Sequence, residues 1–174
     1  MTPARLPEIL AASRLFALRA AVVAQLKALV PDVEIKSHPG KIDMSDVIEQ
    51  DVFATPSIVI ALTHFRPDSR LSDAPDLVAK FVAYVVVENM TIDGKLVYAD
   101  EIGPAVCDAI ACFLARATPD TQWGLTDIGT PEDVEAQPVF TAKSFAKGVC
   151  FYAVSWKQTL YACGEPLFGG GDDV

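Results

Sequence analysis

Two stretches of the chain repeat apolar residues at the three- and four-residue spacing of an amphipathic helix. The first runs from Arg14 to Val30, with Ser13 placed to cap it and Pro31 to end it. The second begins between Asp100 and Pro104 and ends at Thr118-Pro119. The two stripes are Leu15, Leu18, Val22, Leu26 and Leu29, and Ile102, Val106, Ile110, Phe113 and Ala117. The pattern predicts two long helices, each with one buried face.

Three other stretches have the apolar runs of β-strands. Leu77 to Glu88 is mostly apolar on both faces, which predicts a central strand covered on both sides. Ser57 to Leu62 follows Thr55-Pro56 as a short buried strand, and Gly148 to Tyr161 is long and apolar. Two shorter strands are predicted at Val33–Lys36 and Val134–Phe140, and a short helix at Ser45–Val52. Loops are predicted at His64–Pro75 and at Asn89–Lys95, the second with a turn at Asp93-Gly94.

The order of these elements predicts an α+β fold. We expect a small, mostly antiparallel sheet of four to five strands flanked by the two long helices. The 174 residues fit one domain, 1–163. Residues 164–174, with three consecutive glycines at Gly169-Gly170-Gly171, are predicted to be a flexible tail.

The amount of apolar surface exceeds what two helices cover easily. Hydrophobic residues make up 51% of the chain, and its mean hydropathy is +0.30. One helix on each face of the sheet would leave apolar surface open, and both on one face would leave the other face bare. Either arrangement favours a neighbouring subunit that completes the burial. Long loops that cover the bare face are the alternative.

The charge excludes some partners. The formal net charge is −9 and no run of lysine or arginine is present, which disfavours binding to nucleic acid. The chain has no uninterrupted stretch of about 18 apolar residues, so no membrane span is predicted. Met1 to Ile9 does not have the pattern of a signal peptide.

Side chains that could carry chemistry are few and scattered. His38 precedes a proline in a turn and His64 lies at the predicted end of a strand, and we expect both to be solvated loop histidines rather than bases or ligands. The acidic cluster is expected to be a solvated helix face rather than a cation site; its members are Asp43, Asp46, Glu49 and Asp51. The cysteines are expected to be buried small hydrophobes; they are Cys107, Cys112, Cys150 and Cys163. Asn89-Met90-Thr91 matches a glycosylation acceptor by chance. We predict no enzyme, with no catalytic, cofactor-binding or metal residue.

The series of motifs resembles a known family. Its elements, in order, are the helix Leu15–Leu29 with Val30-Pro31-Asp32-Val33-Glu34-Ile35, then Ser37-His38-Pro39-Gly40, Pro56-Ser57-Ile58-Val59-Ile60, the strand Phe81–Asn89, the helix Ile102–Ala117 and Gly148–Val154. This series is similar to the Mu-like prophage tail proteins, a family similar to phage tail terminators. The resemblance covers roughly Leu15 to Tyr161.

The resemblance implies a structural role in a virion. Subunits of terminators form a hexameric ring on the last ring of the tail tube, stop its polymerisation and present the surface to which the head attaches. The expected partners are copies of the same chain, the tail tube protein and a head-tail connector or neck protein, with assembly in the host cytoplasm. DNA passes through the lumen as cargo, and an acidic subunit suits that passage because like charge repels phosphate. Candidate lumen residues are the acidic stretches Asp43–Asp51 and Glu132–Glu135.

Two other functions are compatible with the sequence. A different neck or tail-completion protein would share the composition and fold. A small-ligand-binding module or an enzyme of unrecognised type would need a pocket with convergent polar groups and shifted pKa values.

Overall fold

The computed structural model describes residues 5–40, 55–68, 75–116, 118–139 and 148–163. The described helices are α1 (Leu6–Ala12), α2 (Arg14–Leu29) and α3 (Ala99–Leu114), followed by a 3₁₀ turn at Pro119–Gln122. The described strands are β1 (Glu34–His38), β2 (Ser57–Asp68), β3 (Asp76–Glu88), β4 (Met90–Ile92), β5 (Lys95–Val97), β6 (Glu132–Pro138) and β7 (Val149–Leu160).

Five strands form the main sheet in the order β1-β2-β3-β7-β6. Only the edge strand β1 runs parallel to its neighbour, with Ile35 opposite Ile58. The other three pairings are antiparallel, and β3 pairs with β7 along its length, Ala83 opposite Val154. The prediction of an α+β fold with a mostly antiparallel sheet and two long helices is confirmed.

Both long helices pack on the same face of the sheet. α2 buries Leu18, Val22 and Leu26, three members of its predicted stripe. The stripe of α3 is only partly right, because Cys107 and Leu114 are buried while two predicted members, Val106 and Phe113, are half-exposed.

A glycine determines how α3 meets the sheet. A Cβ at Gly103 would lie 2.1 Å from Cε2 of Tyr152 on β7, so the tyrosine ring occupies the space of a side chain. The helix turns Gly103 and Cys107 toward the sheet, and Phe113 instead lies against Trp123 with ring centroids 5.8 Å apart. This close approach explains why the predicted stripe was misplaced.

The opposite face of the sheet is not bare. Its central positions are buried within the single chain; they are Val59, Ala61, Val82, Tyr84, Val86, Phe151 and Ala153. Val139, just after β6, packs against both clusters of this face. This face is therefore buried within the chain, as in the alternative that the sequence left open, and the expectation of a neighbouring subunit stays a prediction.

Two predicted loops contain strand. β2 does not stop at Leu62 but continues to Asp68, and a bulge at Thr63 keeps it paired with β3. The polar residues after Leu62 hid this extension because they lack apolar alternation. The loop Asn89–Lys95 is the hairpin β4–β5, whose predicted turn is present at Asp93 and Gly94, both with positive φ.

Several boundaries also differ. β6 begins at Glu132, before the predicted start at Val134, and α3 ends at Leu114. The predicted helix Ser45–Val52, the acidic cluster of Asp43, Asp46, Glu49 and Asp51, and the tail 164–174 lie outside the described residues.

Two hydrogen-bond clusters fix the ends of the helical layer. The Arg14 guanidinium donates to the carbonyl oxygens of Thr126 and Asp127 at 2.9 Å, to that of Ala162 at 3.2 Å, and to that of Tyr161. It thereby ties the first turn of α2 to the end of β7 and to the loop before β6.

The second cluster is buried beneath the 3₁₀ turn. Gln158, fully buried on β7, accepts a hydrogen bond from Nε1 of Trp123 at 2.9 Å and donates to the carbonyl oxygens of Thr121 and Gly129 at 2.8 Å. Every polar atom of the Gln158 amide group is engaged, so the loop after α3 is held in one conformation.

Candidate functional site

An apolar groove runs between α2, α3 and the β4–β5 hairpin. Its volume is about 650 Å³. The lining residues are Leu26, Leu29, Val30, Ile92, Val97, Glu101, Ile102, Ala105, Val106, Ala109, Ile110 and Phe113. Eleven of these twelve side chains are apolar and Glu101 alone is charged, so the groove offers hydrophobic contact rather than chemistry.

The rim of the groove is exposed apolar surface. Leu29 at the end of α2 is 51% exposed and Ile92 on the hairpin is 43% exposed. Leu96 and Tyr98 are also exposed but do not line the groove, and Leu96 lies on the other face of the hairpin from Val97. A groove with an exposed apolar rim marks a site of association more often than isolated exposed residues do.

Local hydrogen bonds position the walls of the groove. The Asn89 side-chain oxygen, just after β3, accepts from the backbone N–H of Ala99 at 2.9 Å and joins the base of the hairpin to the start of α3. The Glu101 carboxylate accepts from the backbone N–H of Tyr98 at 3.4 Å, as the third residue of a helix often does. The sequence Asn89-Met90-Thr91 is thus part of the hairpin that forms one wall.

Helix α1 is a second apolar surface without a covering layer. None of its residues is buried; Leu6 is 67% and Leu10 is 50% exposed, and their four-residue spacing places them on one side. Phe16, in the first turn of α2, is also exposed. The short helix therefore presents a small apolar stripe to solvent.

The two histidines do not come together in a site. His38 ends β1, half-buried, with Nδ1 2.8 Å from the carbonyl oxygen of Gly40. His64 is exposed on β2, beside the bulge at Thr63. The prediction that His64 lies in a loop is wrong because β2 continues past it, but neither imidazole lines the groove.

The four cysteines have different surroundings, and all are free thiols. Cys107 and Cys150 are buried as predicted, and burial raises the pKa of Cys107 to about 11. Cys112 is exposed, contrary to the prediction, because it points away from the sheet and donates to the Asp108 carboxylate at 3.4 Å. That hydrogen bond raises the pKa of Cys112. Cys163 is half-buried near the end of β7, and burial raises its pKa also.

A smaller pocket lies at the start of α3. Its volume is about 240 Å³, and Asn89, Asp100 and Cys150 are among its lining residues. Burial raises the pKa of the Cys150 thiol, and the nearby Asp100 charge raises it further. A thiol in this environment stays protonated near neutral pH, which is the opposite of an activated nucleophile.

The acidic stretch Glu132–Glu135 is an exposed edge. It lies on β6, the outermost strand of the sheet, where a bulge between Glu132 and Glu135 turns Asp133 outward. Asp133 lies 2.6 Å from the Lys157 ammonium, which lowers the pKa of that carboxyl. The other acidic candidates, from Asp43 to Asp51, lie outside the described residues.

Within the described ranges, no three His, Cys, Asp or Glu side chains approach closely enough to hold a metal ion. No single described helix is both long and apolar enough to cross a membrane, and α1 and α2 reach that length only together, across a 57° bend.

Sequence reasoning missed the groove and the exposed face of α1. The periodic pattern predicts that Leu29 and Val106 are buried, whereas they line the groove. The available signal was the excess of apolar residues, which showed that surface would stay exposed but not where.

Comparison with known proteins does not place the chain in a family. No protein-family model matches it, and no curated protein is similar enough to be matched. The resemblance to tail terminators therefore stays a prediction.

Proposed function

We propose that the chain is a structural virion protein: a tail terminator that caps the tail tube of a long-tailed bacteriophage as a ring. The ring stops tube polymerisation and provides the surface to which the head attaches. The observation that carries the proposal is the apolar groove between α2, α3 and the hairpin, together with the unburied helix α1. A subunit with two separate apolar surfaces can contact two neighbours at once, which a ring requires.

The charge of the chain supports the same role. A ring on a tail tube must let DNA pass without holding it, and a subunit with a net charge of −9 repels phosphate. Glu132 and Glu135 lie on an exposed sheet edge, and we assign them to the lumen. The proposal assigns no catalytic, cofactor or metal residue, and it places the protein at the head-proximal end of the tail after assembly in the host cytoplasm.

The deletion phenotype tests this function. In a phage that carries the gene, its removal should produce overlong tails, and the wild-type chain supplied from a plasmid should restore their length. A His38→Ala/His64→Ala variant should restore length equally, because both side chains lie away from the groove. Tails of normal length that fail only to join heads would contradict the terminator role and favour another neck or tail-completion protein.

The size of the groove favours one further candidate, a binding module for a small apolar molecule. Its volume of about 650 Å³ falls within the range of roughly 300–1,000 Å³ that is usual for ligand sites. However, such sites also present a few convergent polar groups, and here Glu101 already accepts the Tyr98 N–H. Native mass spectrometry of the purified chain separates the two: an apolar molecule retained at one per chain, and lost in an Ala109→Trp variant, would favour the binding module.

A further inference from the structure

We infer that the outer face of α2 of one subunit packs against the outer face of α3 of the next subunit, with the two helices antiparallel. This inference rests on the proposed ring and deepens it, because it names two surfaces of the chain that meet.

The outer face of α2 carries two unpaired cations beside apolar surface. Together with β1 it forms a shallow pocket of about 340 Å³, whose lining residues include Arg19 and Lys27. The two cations are eight residues apart, which is about 12 Å along the helix at 1.5 Å per residue. Neither forms an ion pair with any residue that the structure describes, and Arg19 lies 5.8 Å from the centroid of the Phe16 ring. The other lining residues are Ala20, Val23, Ala24 and Ser37.

The outer face of α3 repeats this spacing with the opposite charge. Asp100 and Asp108 are also eight residues apart, and both carboxylates are exposed. Asp108 accepts a hydrogen bond from the Cys112 thiol at 3.4 Å, but neither aspartate is in an ion pair within the described ranges. α3 itself contains no cation, and Arg116 lies beyond its end. The face therefore offers two free carboxylates at the distance that separates the two cations of α2.

Small side chains lie between the charges on both helices. Ala20 and Ala24 are exposed between the cations of α2, and Pro104 and Ala105 are exposed between the carboxylates of α3. Short side chains let two helices approach closely, so the charged side chains at the ends can reach each other.

The two faces lie on opposite flanks of the helical layer. The main sheet has β1 at one edge and β6 at the other. α2 packs over β1 and β2, and its outer pocket opens beside Ser37 of β1, whereas α3 packs over β3, β7 and β6. Within one chain both sets of charges stay unpaired, and a second copy supplies the complement of each. The contact joins two different patches, so it is heterologous and can close into a ring.

The ends of the helices favour the antiparallel arrangement. Lys27 is in the last turn of α2 and Asp100 is in the first turn of α3. When these two face each other, the negative end of one helix dipole lies beside the positive end of the other. The same register places Arg19 opposite Asp108.

The charge of the whole chain gives this pairing its selectivity. Each subunit has a net charge of −9, so two copies repel each other in most orientations. Two facing ion pairs favour one orientation, although exposed ion pairs are individually weak. In a closed ring every such face is filled, and the weak contacts reinforce one another.

Disulfide trapping of the full chain tests this contact. In a Cys112→Ser/Cys163→Ser background, an Ala24→Cys chain is mixed with a Pro104→Cys chain at millimolar concentration under mild oxidation. The mixed dimer, recognised by its mass, should form at several times the yield of the matched control, Ala24→Cys with Phe65→Cys, since Phe65 is exposed on β2 outside both faces. Equal yields for the two mixtures would overturn the inference.

Charge reversal tests whether the ion pairs direct the contact. Arg19→Glu/Lys27→Glu, added to the first of the two trapped chains, should lower the yield of mixed dimer several-fold. Asp100→Lys/Asp108→Lys, added to the second chain, should then restore it. A yield indifferent to both changes would overturn the assigned pairing.

The control for net charge uses carboxylates outside both faces. Glu132→Lys/Glu135→Lys on β6 adds the same charge to the second chain as the aspartate reversals do. It should leave the yield low in the mixture with the Arg19→Glu/Lys27→Glu chain. Equal restoration by both pairs of reversals would show that net charge, rather than this contact, sets the yield, and would overturn the inference.

A second trapped pair fixes the orientation of the helices. Lys27→Cys should form several times more mixed dimer with Asp100→Cys than with Asp108→Cys, and both mixtures remove one charge from each face. The opposite preference would overturn the antiparallel arrangement.

The phage assay separates this inference from the proposed function. Arg19→Glu/Lys27→Glu changes side chains that reach solvent, so the chain should unfold at the same urea concentration as the wild type. In the deletion phage this variant should leave tails overlong, and the addition of Asp100→Lys/Asp108→Lys in the same chain should restore their length. Restoration by the first variant alone, or failure of the folded four-fold variant, would overturn the contact while the terminator role stands. Normal tails in the deletion itself would remove the role, whatever the cross-links show.

Discussion

At the scale of single residues, the fold depends on buried polar groups that are satisfied by one another. Gln158 is the central example, because its side chain joins Trp123 to the carbonyl oxygens of Thr121 and Gly129 inside the protein. A sequence does not reveal such a cluster, since its members are about 30 residues apart and each is ordinary for its own element. Gln158 reads in the sequence as one more position of an apolar strand.

We predict that Gln158→Ala lowers the free energy of unfolding by about 2–4 kcal/mol, because it leaves the Trp123 N–H and two carbonyl oxygens without partners and opens a cavity. The matched control is Gln137→Ala on the exposed edge strand β6, which should change stability by less than about 0.5 kcal/mol. Urea unfolding followed by tryptophan fluorescence measures both. Equal effects in the two variants would show that the cluster does not stabilise the loop.

The raised pKa of the Cys107 thiol predicts that the stability of the fold depends on pH in the alkaline range. Its pKa is raised to about 11 in the folded chain by burial, while the unfolded thiol has its ordinary value of 9.0. The unfolded state therefore loses its proton first as the pH rises, so this contribution to stability is complete below pH 9 and decreases from about pH 9 to pH 11.

In a Cys107→Ala variant, unfolding measured from pH 8 to pH 11 should show a smaller loss of stability over that interval. A Cys112→Ala variant is the comparison: the raised pKa of this exposed thiol comes first from its hydrogen bond to Asp108 rather than from burial, so its removal should reduce the alkaline loss less than Cys107→Ala does. A loss that is identical in the wild type and in Cys107→Ala would assign the alkaline effect to other groups.

At the scale of elements, the strongest periodic patterns predicted the structure well. α2, β3 and β7 lie where the sequence placed them, because each is long and apolar at its own period. The extension of β2 and the hairpin β4–β5 could not be predicted, since their polar residues are held by pairing with a neighbouring strand rather than by burial. The exposed faces of α1 and the groove were missed for a related reason: an apolar residue has the same sequence signature whether it is covered by its own chain or left open.

Substitution of Arg14 tests how the start of α2 is held against the rest of the fold. Its guanidinium reaches four backbone carbonyl oxygens, so Arg14→Ala should cost about 1–3 kcal/mol and increase amide hydrogen exchange in the first turns of α2.

Arg14→Lys is the informative companion, because it keeps the charge but lacks the planar fork of N–H donors through which Nη1 and Nη2 each reach two carbonyl oxygens. It should recover only part of the protection from exchange. Full recovery by lysine would show that charge, rather than the forked geometry, holds the start of α2.

At the scale of the whole molecule, the sheet is buried beneath the helices, whereas the groove between the helices and the hairpin stays open. The sheet is covered on both faces within the single chain, so the fold does not depend on a partner for its core. Much of the apolar surface that stays open lies in the groove and on α1. Under the proposed function, such a chain would fold as a subunit first and join the ring afterwards, as a component added to the end of a finished tail tube.

The location of the chain in the virion tests this account most directly. Electron microscopy of purified particles at subnanometre resolution, with the fold fitted to the map, should show six copies as a closed ring between the tail tube and the head. Density for the chain anywhere else in the particle, or its absence from particles whose tails have normal length, would contradict the account.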